Sequence, residues 1–291
     1  MIGFLNVKGY TVDPNSNWNF ITIIKEFFGI GGYTRTPEGA WSWQHILFVS
    51  MMLTVMVALA IFFGKKNRDK DMATKNAVLI WAGILINAVE LLQIFVVCFR
   101  DGWQSITRYL PLFVCSIQMI AIPLAALSKG RLKEAALDFV FTFGILGAVF
   151  GTIGATQNYN AYPVLSMPNV VSGLSHCISG FSSLYIVIAG MQSMKKENIL
   201  ITFGVLGVFM VLASLANWAF DYNYMFLVRH DGTPYVIFWD LVGGNQPLYA
   251  IVVIALFLIY IVAFYAIYGF IVQTMACAEK GKDKNLSHGK N

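Results

Sequence analysis

The 291-residue chain is 57% hydrophobic and 15% aromatic but only 12% charged, roughly half the charged share of a soluble domain. That composition excludes a water-soluble enzyme and defines an all-α polytopic membrane protein. The net charge of +5 serves orientation in such a chain and not nucleic-acid binding, and Cys98, Cys115, Cys177 and Cys277 form no CxxC pair or zinc spacing.

Residues 1–45 read as an N-terminal extracytoplasmic segment without the charged start and early apolar core of a cleaved signal peptide. Within it, apolar residues from Trp18 to Phe28 cluster at helical spacing around Lys25 and Glu26. This is the pattern of a short interfacial helix, either capping the bundle or lying on the membrane surface.

Seven apolar segments follow at 46–63, 77–98, 109–127, 135–156, 170–192, 199–220 and 247–273. Each is long enough to span a bilayer core, so the expected fold is a seven-transmembrane-helix bundle over residues 46–273 with a polar tail at 274–291. No internal repeat is visible. Of the 20 Lys and Arg, 14 fall in the tail and in the connections after the first, third and fifth segments. The positive-inside rule then places the C-terminus in the cytoplasm and the N-terminus outside.

The third segment, RYLPLFVCSIQMIAIPLAAL from Arg108 to Leu127, is the one around which the chain is expected to be arranged. Cys115 and Gln118 stand three residues apart on one of its faces. Counted at about 1.5 Å per residue, Cys115 lies roughly 9 Å below the outer boundary, and His176 of the fifth segment lies at nearly the same depth. The second segment adds Asn87, Glu90 and Gln93 on one face. Ser179, Gly180 and Ser183 continue the stripe of His176; Asn217 ends the sixth segment, and His45 sits at the outer mouth of the first. Polar groups at such depth need internal partners, which makes Cys115, His176, Glu90, Asn87, Gln118, His45 and Asn217 the candidate site. Each also has a structural reading, as a helix-to-helix hydrogen bond or a small packed side chain. Gly147 and Gly151 form a GxxxG packing signal.

Residues 221–246 are too apolar for a solvated loop, and Asn223, Tyr224, Phe226 and Trp239 in it read as a lid or lipid-contacting wall, or as plain packing. A metal site from His45, His176, Glu90 and a cysteine has no supporting local spacing, so no metal or other cofactor is expected. A retinal protein is excluded by the lack of a lysine in the seventh segment.

Several motifs resemble the YwaF family of bacterial integral membrane proteins: WSWQH (Trp41 to His45), LPLFVC (Leu110 to Cys115), GLSHC around His176, and Asn217 followed by NYMFL (Asn223 to Leu227). Many YwaF-like sequences carry His two residues before the cysteine, where this chain has Phe113. The family is similar to the animal transmembrane protein 164 acyltransferases, which use a membrane Cys and His to move acyl chains between phospholipids. The resemblance implies membrane phospholipids as substrate, a cell-membrane location, and a site in which Cys115 is the nucleophile and His176 the base. With water as acceptor the same pair would make it a lipid esterase, and the competing class is a non-enzymatic carrier, channel or accessory subunit in which Glu90 and His176 form a proton-linked or binding site. The sequence carries no signal for oligomeric state.

Overall fold

A computed structural model describes residues 19–288, with side chains through residue 275. The first 18 residues of the N-terminal segment and the last three of the tail lie outside the described residues. Those described are helical, without strands, and form two compact units that divide between Gln192 and Ser193.

The first unit begins with α1 (Phe20–Phe28), closed by a reciprocal cap in which Thr22 N–H donates to Asn19 Oδ1 and Asn19 N–H donates to Thr22 Oγ1. Its Phe27 and Phe28 pack with Val97, Met167 and Val171. Then come α2 (Trp43–Asn67), capped by Ser42, and α3 (Met72–Asp101), capped by Asp71 through the Thr74 N–H. After α4 (Gln118–Leu127) follow α5 (Gly130–Thr152), the short α6 (Thr156–Ala161) and α7 (Met167–Ile188). The second unit holds α8 (Asn198–Phe220), α9 (Val236–Leu241) and α10, which continues as one helix from Gln246 to His288, past the apolar stretch and into the predicted polar tail.

Six of the described helices are long and apolar enough to cross a membrane. The third predicted segment is not one of them. Trp103–Arg108 is a 3₁₀ turn, residues 109–117 are irregular or turn, and only Gln118–Leu127 is α-helix. Pro111 prevents a helix from running through Leu110 into the segment, because it has no N–H to donate and disfavours helical geometry at the residue before it. Ten residues of α-helix reach only about 15 Å, half the hydrocarbon core. Irregular backbone at that depth is tolerated where protein covers it.

The broken segment runs antiparallel along α3. Asn87 donates to Met119 O (2.9 Å), and Gly83 adjoins Pro123 closely enough that a Cβ would stand 3.0 Å from Cγ. A proline inside a helix leaves the carbonyl four residues earlier without its donor. Here that carbonyl belongs to Met119, and Asn87 takes it. Replacing Asn87 with Leu strands the carbonyl and is expected to destabilise the protein by about 1–2 kcal/mol, read as a lower thermal midpoint in detergent. A loss of activity without loss of stability would contradict this role.

The centre of the first unit is α7 and not the third segment. It packs against α2, α3 and α5. Small residues permit the approach: a Cβ on Gly144 would stand 2.5 Å from Ser179 O, and one on Gly180 2.5 Å from both Ala148 Cβ and Met56 Sδ. Ser183 donates across to Phe141 O at 2.6 Å. Towards the other end of α7, Tyr185 donates to Lys75 O and receives Asn67 Nδ2.

Candidate functional site

Contacts between helices set the heights of the polar residues. Asn87 is level with Met119, so Glu90, one turn further along α3, is level with Cys115, one turn earlier in the antiparallel segment. The Glu90 carboxyl lies near Ser175 of α7, outside hydrogen-bond geometry, and within electrostatic range of Cys115. Ser175 precedes His176, so α3, α7 and the turn before α4 contribute polar residues at one level, with Ser175 facing Glu90 and the imidazole of His176, about 100° further round α7, turned to α5. In this polar layer Cys115, Glu90 and His176 are half-buried.

His176 is held from two sides. Its Nδ1 is 3.3 Å from Ser172 Oγ, one turn back on α7. The ring rests on Gly151 of α5, where a Cβ would stand 2.2 Å from Nε2 and 2.3 Å from Cδ2. Gly147, one turn earlier, leaves an ordinary 3.7 Å to Cδ2. The GxxxG signal of α5 is therefore a seat for the imidazole. Sequence reasoning registered the glycines as packing and missed what they accommodate.

Cys115 sits in a tight turn. Ile117 N–H donates to Phe113 O, Gln118 N–H to Cys115 O and Met119 N–H to Ser116 O, at 3.0–3.2 Å. Bonds of the i to i+3 type bring Cys115 and Gln118 to one side. A groove of about 230 Å³ runs between α3 and α4 below this layer, lined by Ile80, Gly83, Ile84, Asn87, Pro123 and Leu127.

The other predicted site residues have structural partners. His45 is buried at the start of α2, where its Nδ1 accepts from Trp41 N–H (2.9 Å) and its ring lies 3.9 Å from that of Tyr159. Asn217 belongs to the second unit, and both ends of its amide engage Tyr224, one accepting from Tyr224 N–H and the other donating to Tyr224 O. Asn223 donates to Arg229 O and Asp231 Oδ2 and accepts from Val228 N–H. NYMFL is thus a loop clamped by two asparagines, with Met225 and Phe226 in left-handed backbone geometry. Phe226 stacks on Tyr235, and Trp239 meets Tyr249 edge-on. Among the described residues no three His, Cys, Asp or Glu side chains gather as a metal-ligand set.

The model of the TMEM164 family matches residues 40–266, from the loop before α2 into α10. The chain belongs to the TMEM164 family. The matched span contains the whole polar layer of the first unit and both asparagine clamps of the second. No curated protein and no solved structure matches the chain.

Proposed function

We propose that this TMEM164-family protein moves acyl chains between phospholipids in the outer leaflet of the cell membrane, with Cys115 as nucleophile and His176 as base. The observation that carries the reading is the polar layer in which the Glu90 carboxyl lies near Ser175, the neighbour of His176, and within electrostatic range of Cys115. In this reading the broken third segment completes a seventh crossing, leaving the N-terminus outside and the C-terminus in the cytoplasm, as the distribution of Lys and Arg requires.

The chemistry follows from the groups present. A thiol attacks an ester only as thiolate, and the imidazole takes its proton. The sulfur then bonds to the ester carbonyl carbon while the π pair moves to oxygen. Collapse of that intermediate breaks the bond to the glycerol oxygen, which leaves with the proton from His176. A lysolipid hydroxyl returns a proton to His176 as it attacks the thioester, and Cys115 departs. The apolar groove between α3 and α4 accommodates the chain being moved. No soluble cofactor takes part, and the hydroxyl of a second lipid replaces water as acceptor.

The test uses purified protein in nanodiscs holding a phospholipid with an isotope-labelled acyl chain and an unlabelled lysophospholipid. The label is expected to appear in the acceptor with wild type and not with Cys115→Ser, and a hydroxylamine-labile acyl adduct is expected on Cys115. A wild type that neither transfers label nor carries that adduct overturns the proposal.

A further inference from the structure

Gln118 is the first residue of α4 and has no exposed surface, yet neither its Nε2 nor its Oε1 meets a hydrogen-bond partner. A buried amide in that state carries a desolvation penalty that nothing in the fold offsets. Packing does not ask for it either. Ala121, Ile122 and Ala125, further along α4, are buried and apolar, and a methionine has the same length. The contrast with Asn87 and Asn217 is sharp, since the amide of each has hydrogen-bond partners.

The position of this idle amide is specific. The tight turn through residues 113–119 sets Gln118 on the same side as Cys115, one turn away. An acyl carbonyl bonded to the Cys115 sulfur has its oxygen beside that sulfur, within the reach of a side chain at i+3. An amide N–H₂ is a donor that needs no change of protonation to stabilise developing negative charge. Resting on the acyl-transfer reading above, we propose that Gln118 is the oxyanion donor of the Cys115 reaction, its Nε2 hydrogen-bonding to the acyl carbonyl oxygen as the thiolate adds. An amide with no partner in the protein suits such a donor, because one already bonded elsewhere would have to break that bond in the transition state.

The experiment compares two modifications of Cys115 in detergent-solubilised protein, acylation by 4-nitrophenyl octanoate and alkylation by iodoacetamide, each followed by intact-protein mass spectrometry. Acylation passes through an oxyanion and releases nitrophenolate; alkylation displaces iodide and forms no oxyanion, so it reports thiol access and ionisation alone. Gln118→Met is expected to melt no lower than wild type, to alkylate at the wild-type rate, and to acylate about 10²–10³-fold more slowly. Gln118→Leu gives the same pattern and serves if the methionine variant does not fold. Acylation at the wild-type rate overturns the proposal, as does a parallel loss of acylation and alkylation with a lowered melting temperature, which would mark Gln118 as structural. Failure of the underlying reading shows separately, in a wild type that alkylates at Cys115 but does not acylate there, and it overturns both.

Discussion

Cys115→Ala and His176→Ala are each expected to reduce acyl transfer by at least about 10³-fold, and the double variant to lose no more than the worse of the two. Removing the sulfur removes the covalent route, and removing the imidazole leaves a thiol that is almost entirely protonated at neutral pH. General-base assistance alone contributes about 10²–10⁴-fold. Groups that act as a unit are strongly non-additive, because once one is gone the other has nothing to act on. A double variant whose loss equals the product of the single losses would show that the two side chains work independently, and the pair would be wrong. Raising the pH offers a second readout. Hydroxide can generate thiolate without a base, so the residual rate of His176→Ala should climb with pH, while that of Cys115→Ala stays flat.

The spans were legible because hydropathy reports length in lipid. The apolar runs 46–63, 77–98 and 199–220 lie inside Trp43–Asn67, Met72–Asp101 and Asn198–Phe220. The helices at 46–63 and 77–98 extend beyond their runs because Ser42 and Asp71, polar residues outside them, cap the backbone. The third segment misled for the same reason. Its side chains are uncharged and mostly apolar, but hydropathy contains no term for backbone geometry, and the chain at 109–117 is irregular. The depth of Cys115 counted at a helical rise from Tyr109 does not hold, since residues 109–117 are not helical; its level relative to α3 follows instead from the bond of Asn87 to Met119.

Partners across helices were not legible. Asn87 looked like part of a polar stripe, yet what fixes its role is a proline on another helix that frees Met119 O. Asn217 looked like a polar member of the site and Asn223 like a piece of a lid, and their amides clamp the loop that follows each of them. A glycine has meaning only through whatever fills the space beside it, and for Gly151 that neighbour is 25 residues further along the chain, at His176.

That last relation yields the second large effect. Gly151→Ala places a methyl 2.2 Å from His176 Nε2 and 2.6 Å from Cε1, far inside van der Waals contact, so the ring must turn away and its 3.3 Å approach to Ser172 is lost. A shift of about 1 Å in a catalytic group can reduce rate by about 10²-fold, and that is the expected loss in transfer. Overpacking destabilises by about 1–3 kcal/mol, partly offset by the gain of about 1 kcal/mol that alanine brings to a helix. Gly147→Ala is the matched control. Its Cβ would stand 3.7 Å from Cδ2, an ordinary contact, so activity should stay within a few-fold of wild type and stability should hold or rise. The coupling can be isolated by repeating Gly151→Ala in the His176→Ala protein, where the added methyl enters vacated space and the change should become neutral or stabilising in thermal unfolding. Equal losses from Gly151→Ala in both backgrounds, or equal effects from Gly147→Ala and Gly151→Ala, would return the GxxxG pair to helix packing alone and leave the imidazole without its seat.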